Sequence, residues 1–114
     1  MGWDARLVID TGAETPATVD VDYYEDGRGW SMTWNVSPMY AEALGHVITR
    51  LDGLPARDAA DKMQMALEKM EADPEKYEAM NPENGWGSYE GAMDVLRRMI
   101  PKCREHPKAT FSIQ

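Results

Sequence analysis

The stretch Trp30-Ser31-Met32-Thr33-Trp34-Asn35-Val36-Ser37-Pro38-Met39-Tyr40 decides how this chain is read. Its first seven residues alternate: Trp30, Met32, Trp34 and Val36 interleave with Ser31, Thr33 and Asn35. A period of two marks a strand with one face buried and one wet. Ser37-Pro38 then reads as a helix start, with Ser as N-cap and Pro at a first-turn position where no N–H is missed. A strand running directly into a capped helix is the hinge of the predicted fold.

Working toward the N-terminus, Val19, Val21 and Tyr23 alternate with Thr18, Asp20, Asp22 and Tyr24. Asp26-Gly27 separates the two alternating runs, which predicts a β-hairpin. Arg6 to Asp10 is read as an earlier strand. At the other end, Ala109, Phe111 and Ile113 alternate with Thr110 and Ser112 and predict a fourth strand added to the same sheet.

The middle is helical. The helix from Pro38 is expected to reach Leu44 and stop at Gly45, with 46–54 ambiguous. A second helix spans about Ala56 to Ala72, with Ala59, Met63, Leu67 and Met70 on one stripe. Asp73-Pro74 restarts a short helix through Tyr77. Asn81 to Gly87 is a loop by composition. Ser88 caps a last helix whose Tyr89, Ala92, Met93, Leu96, Met99, Ile100 and Cys103 form a wide apolar stripe. Pro101 within that stripe predicts a kink or an end near Ile100. Strands, then helices, then a strand argue for one α+β domain over 1–114. The expected architecture is an antiparallel sheet of three to four strands, three N-terminal and one C-terminal, with helices packed on one face.

Composition narrows the function classes. With 114 residues, 43% apolar, the chain is long enough to bury a core. The formal charge of −8 opposes phosphate backbones, so no nucleic-acid partner is expected. The positive charges Arg97, Arg98, Lys102, Arg104 and Lys108 read as solvated, helix-C-terminal charges. A single cysteine, Cys103, forms no intrachain disulfide, which points to the cytoplasm. No secretory signal, membrane span or complete myristoylation motif is read; Arg6 stands where that motif needs Ser or Thr.

Most catalytic and metal chemistries find no support. Asp20 and Asp22 on one strand are about 7 Å apart, too far for one cation without further ligands. Cys103 and His106 lack the second pair a zinc site needs. Cys103 lies on an apolar stripe, unlike a reactive thiol, and His46 reads as a loop residue. No phosphate loop, GxSxG elbow or HExxH motif occurs. Neither a metal nor a cofactor is expected.

Two places suit a ligand. In Asn81 to Ser88, glycines let the backbone turn or approach a ligand closely, Trp86 offers a stacking surface, and a helix start follows. In Asn35 to Tyr40, Asn35 and Ser37 bracket the strand end. If both helix starts face one sheet edge, they frame one pocket, with Asn35, Ser37, Tyr40, Asn84, Trp86 and Ser88 as its ligand-binding residues.

The motifs Asn35-Val36-Ser37-Pro38-Met39-Tyr40 and Asn81-Pro82-Glu83-Asn84-Gly85-Trp86-Gly87-Ser88-Tyr89-Glu90-Gly91-Ala92, followed by Cys103 and His106-Pro107, resemble those of small uncharacterised proteins of bacteriophages and bacteria. The resemblance covers about two thirds of the chain, from Asn35 onward. It carries no activity, so no catalytic residue transfers. It implies an accessory protein made in the host cytoplasm that binds and modulates or inhibits a host protein. The alternative is a protein that binds or sequesters a small, nucleotide-like signal. A small hydrolase ranks last, because no constellation joins nucleophile, base and orienting group. An open sheet also leaves edges through which a homodimer can form.

Overall fold

The computed structural model describes residues 2–9, 17–18, 30–85 and 87–113. The sheet is built around one strand, β1 (Gly2–Ile9), and every pairing is antiparallel. Strand β2 (Ala17–Thr18) pairs with its end, Val8 with Thr18. Strand β3 (Trp30–Thr33) pairs with its beginning, Gly2 with Thr33 and Ala5 with Trp30. Strand β4 (Thr110–Ile113) pairs with its second half, Ala5 with Ile113 and Val8 with Thr110. A strand has two edges, and Ala5 and Val8 each have two partners. Strand β4 therefore holds one edge of β1, while β2 and β3 follow one another along the other.

One face of this sheet is buried. Ala5 pairs with Ile113 and Leu7 with Phe111, and all four side chains are buried. Asp4, Arg6 and Thr110 on the alternate positions are exposed. On the buried side lie α1 (Ser37–Leu44), α2 (Ala56–Ala72), α3 (Pro74–Glu78) and α4 (Tyr89–Glu105). Helices α2 and α4 pack on each other; α4 meets β3 and α2 meets β4. The expected α+β fold, with helices on one sheet face, is what the chain adopts.

The predicted helical stripes form the core. Ala59, Met63, Leu67 and Met70 of α2 are buried, as are all seven stripe residues of α4. Helix α1 ends at Gly45, whose φ of 84° lies in the left-handed region that glycine enters without a Cβ clash. The ambiguous stretch after it contains a 3₁₀ turn, Ile48–Leu51, with Ile48 and Leu51 buried. The chain then runs beside β4: the Phe111 N–H donates to Leu54 O, and the Ala56 N–H donates to Ala109 O. That edge of the sheet is thereby covered.

Five expectations need correction. The first strand begins at Gly2 rather than Arg6: Trp3, Ala5, Leu7 and Ile9 alternate, and the small Ala5 hides the pattern. The strand from Trp30 ends at Thr33, and Trp34–Val36 is a 3₁₀ turn. The Thr33 hydroxyl accepts hydrogen bonds from the Asn35 backbone N–H and from Asn35 Nδ2, a local pattern that competes with ladder pairing. Ser37 is already helical, so Val36 precedes the helix in the capping place. Asp73 stands before α3 without a side-chain capping bond. Pro101 neither ends nor shortens α4, which continues to Glu105. Pro101 and Arg97, one turn back, are both exposed, so the carbonyl that loses its N–H partner can be met by water. The hairpin predicted through Val19 to Tyr24, with Asp20 and Asp22, lies outside the described residues.

Candidate functional site

The two loops singled out in the sequence meet. Asn84 Nδ2 donates to Asn35 Oδ1 at 3.3 Å. Beside this contact, between β3, the start of α1 and the start of α4, opens a cleft of about 200 Å³. Its walls are Met32, Thr33 and Val36 on one side and Gly87, Ser88, Gly91, Ala92 and Val95 on the other, with Tyr40 also lining it. The surface is mainly apolar.

Each wall has a local cause. The Ser88 hydroxyl accepts from the Gly91 N–H at 3.1 Å and closes the first turn of α4, as the sequence predicts for an N-cap. Asn81 Oδ1 accepts from the Tyr89 N–H at 2.8 Å and ties the loop to the same helix start. Gly87 has a φ of 103°, and a Cβ built there would lie 2.7 Å from Thr33 Cγ2 and 2.9 Å from Val36 Cγ1. Only glycine allows both that backbone conformation and that close approach.

Tyr40 is fully buried and its hydroxyl donates to Ala92 O at 3.0 Å. Burial pushes its phenol pKa up, so the ring is neutral and its donor is already engaged. It joins α1 to α4 beneath the cleft rather than offering a free polar group. Ser37 is half-buried on α1, and Asn35 and Asn84 are exposed beside the cleft. Trp86 lies outside the described residues. Of the six candidates, Tyr40 and Ser88 line the cleft and Asn35 and Asn84 bond to each other.

Reasoning from sequence missed Met32, Thr33, Val36, Gly87, Gly91, Ala92 and Val95 as lining residues. Gly91 carried a usable signal. It lies inside a helix at ordinary φ, where glycine costs up to about 1 kcal/mol relative to alanine. A Cβ there would meet only Ser88 Oγ, at 3.3 Å. Neither backbone conformation nor core packing requires glycine, and its effect is to keep one wall of the cleft low.

Among the described residues, no His, Cys, Asp, Glu, Lys or Arg lines the cleft. Among the described residues, no group of three or more His, Cys, Asp or Glu side chains is placed to hold a metal. Cys103 is fully buried, and burial pushes its thiol pKa up to about 12. A thiol so held stays protonated at neutral pH and is a poor nucleophile. Among the described residues, no helix is long and apolar enough to cross a membrane. Comparison with known proteins finds no matching family model, no matching curated protein and no matching solved structure.

Proposed function

We propose that this is a non-enzymatic binding protein that receives an apolar side chain of a partner protein in the cleft between β3, α1 and α4. The observation that carries the reading is the cleft itself: about 200 Å³, open, apolar, and walled partly by glycine. Pockets that hold whole small molecules usually measure about 300–1,000 Å³, so this one suits a single side chain better. Among the described residues, no Lys or Arg lines it, which weighs against the alternative of a nucleotide-like signal. The resemblance to small phage and bacterial proteins adds the accessory role: acting in the cytoplasm, the protein blocks or modulates a host factor.

The test compares the protein with its Gly91→Leu variant, which fills the cleft from a helical position. Both are used as bait at matched concentration in bacterial lysate, and both are melted. The reading expects a protein captured by the wild type, lost with Gly91→Leu, at similar melting temperature. Equal capture by both variants, or capture by neither, overturns it.

A further inference from the structure

The loop beside the cleft holds the chain's one Asn-Gly step. Of the three asparagines, Asn35, Asn81 and Asn84, only Asn84 is followed by glycine. An asparagine amide carbon is open to attack by the backbone nitrogen of the next residue, and that neighbour decides how readily it happens. After Asn35 comes Val36, whose branched Cβ crowds the approach and whose side chain is buried. After Asn81 comes Pro82, whose nitrogen has no proton to lose. After Asn84 comes Gly85: both residues are exposed, and a Cβ built on Gly85 would meet no atom within 4 Å. The Gly85 N–H donates to Pro82 O at 3.3 Å, a local bond across one four-residue turn and longer than the usual N–H···O range. Asp52-Gly53 is held differently. The Gly53 N–H donates to Phe111 O at 2.8 Å, and Asp52 Oδ1 accepts from the Ile113 N–H at 3.0 Å, so both residues are tied to β4.

We infer that Asn84 is a site of spontaneous deamidation, and that its conversion breaks the bond between the two loops. The Gly85 nitrogen gives up its proton to hydroxide and attacks Asn84 Cγ. The N–Cγ bond forms, the Cγ–Nδ2 bond breaks, and Nδ2 leaves as ammonia with a proton from water. Water then opens the cyclic imide at one of its two carbonyls and leaves isoaspartate or aspartate. On either route Nδ2 is gone, and with it the hydrogen bond to Asn35 Oδ1. A carboxylate replaces the donor, and in isoaspartate the main chain also gains one atom. The loop thereby loses this tie to the residues that follow β3. The chemistry is independent of what the cleft binds.

The experiment holds the native protein at pH 6 and pH 8.5 beside the same protein unfolded in urea. Tryptic peptides are then sequenced by mass spectrometry, with isoaspartate resolved from aspartate. Conversion at position 84 is expected in the native protein, faster at pH 8.5. Its rate should lie within roughly ten-fold of that in urea, because one exposed local hydrogen bond is all that must open. Position 52 is expected to form isoaspartate only in urea. In the aged native protein the side-chain amide signals of Asn35 are expected to move in ¹⁵N spectra. Asn84→Ala, which lacks the donor from the start, is expected to move them at once and to show no further change on ageing. Asn84 left intact in the native protein while converted in urea overturns the site. A rate indifferent to pH overturns it too, as does native conversion at Asn35 or Asp52 that keeps pace with Asn84. Asn35 signals unmoved in converted protein overturn the broken bond and leave the modification standing.

Discussion

Asn84 Nδ2 donates to Asn35 Oδ1 at 3.3 Å, joining two loops 49 residues apart in the chain. Asn35 is also held from behind, because its own Nδ2 donates to Thr33 Oγ1 at 2.9 Å. The start of α4 is therefore linked through one amide pair to the place where β3 becomes a 3₁₀ turn.

Because both amides are exposed, water competes for their bond. A double-mutant cycle of Asn35→Ala and Asn84→Ala is expected to give a coupling of about 0.5 kcal/mol in urea unfolding, the low end for a neutral hydrogen bond. A coupling near zero would mean that solvent replaces the contact.

Gly87 is the tighter junction. Gly87→Ala combines a strained φ of 103° with a Cβ at 2.7 Å from Thr33 Cγ2 and 2.9 Å from Val36 Cγ1. The substitution is expected to destabilise the protein by about 1–3 kcal/mol. It also pushes the cleft walls apart, so the amide signals of Thr33 and Val36 should shift more than those of α2. A variant as stable as the wild type would show that this approach is looser in solution.

Much of this arrangement is legible in the sequence, for a physical reason. Long amphipathic helices announce themselves, so α2 and the apolar stripe of α4 are read to the residue. The pairing of strands is not local, and nothing in the order of residues says that β1 serves β2, β3 and β4 together. Asn35 and Asn84 stand out in the sequence because each lies shortly before a predicted helix start, yet their mutual bond is a tertiary fact. Tyr40 reads as a ligand-binding residue only while the bond of its hydroxyl to Ala92 O is unknown. The end of β3 at Thr33 is written in a Thr-x-Asn pattern that the apolar alternation through Val36 overrides on inspection.

Gly91 tests whether stability has been exchanged for an open cleft. Gly91→Ala removes glycine's backbone freedom in the unfolded chain and improves helix propensity, for up to about 1 kcal/mol of added stability. The new methyl meets Ser88 Oγ at 3.3 Å, which takes back part of that gain. The expected outcome is a higher urea midpoint together with weaker binding at the cleft. The contrasting variant is Ser88→Ala, which removes the hydroxyl that accepts the Gly91 N–H and is expected to cost about 0.5–2 kcal/mol. If Gly91→Ala left both stability and binding unchanged, Gly91 would have no part in the site.

Cys103 gives the protein a defined alkaline weakness. Burial raises its thiol from 9.0 to about 12, with Arg104 opposing weakly. The folded state therefore holds the proton that the unfolded state releases above pH 9. The stabilisation from the neutral buried thiol is complete below pH 9 and is lost as pH rises from 9 to 12, at up to about 1.4 kcal/mol per pH unit. Tyr40, whose phenol is also raised by burial, adds a loss in the same direction above pH 10. Urea midpoints at pH 8, 9.5 and 10.5 should fall more steeply for the wild type than for Cys103→Ala, whose remaining slope reports Tyr40 and the other alkaline groups. Thiol reagents should modify Cys103 at pH 8 only as fast as the protein opens, so labelling should accelerate with urea in step with unfolding. Rapid labelling of the native protein, or identical slopes in the two proteins, would place this thiol at the surface and remove the argument against its acting as a nucleophile.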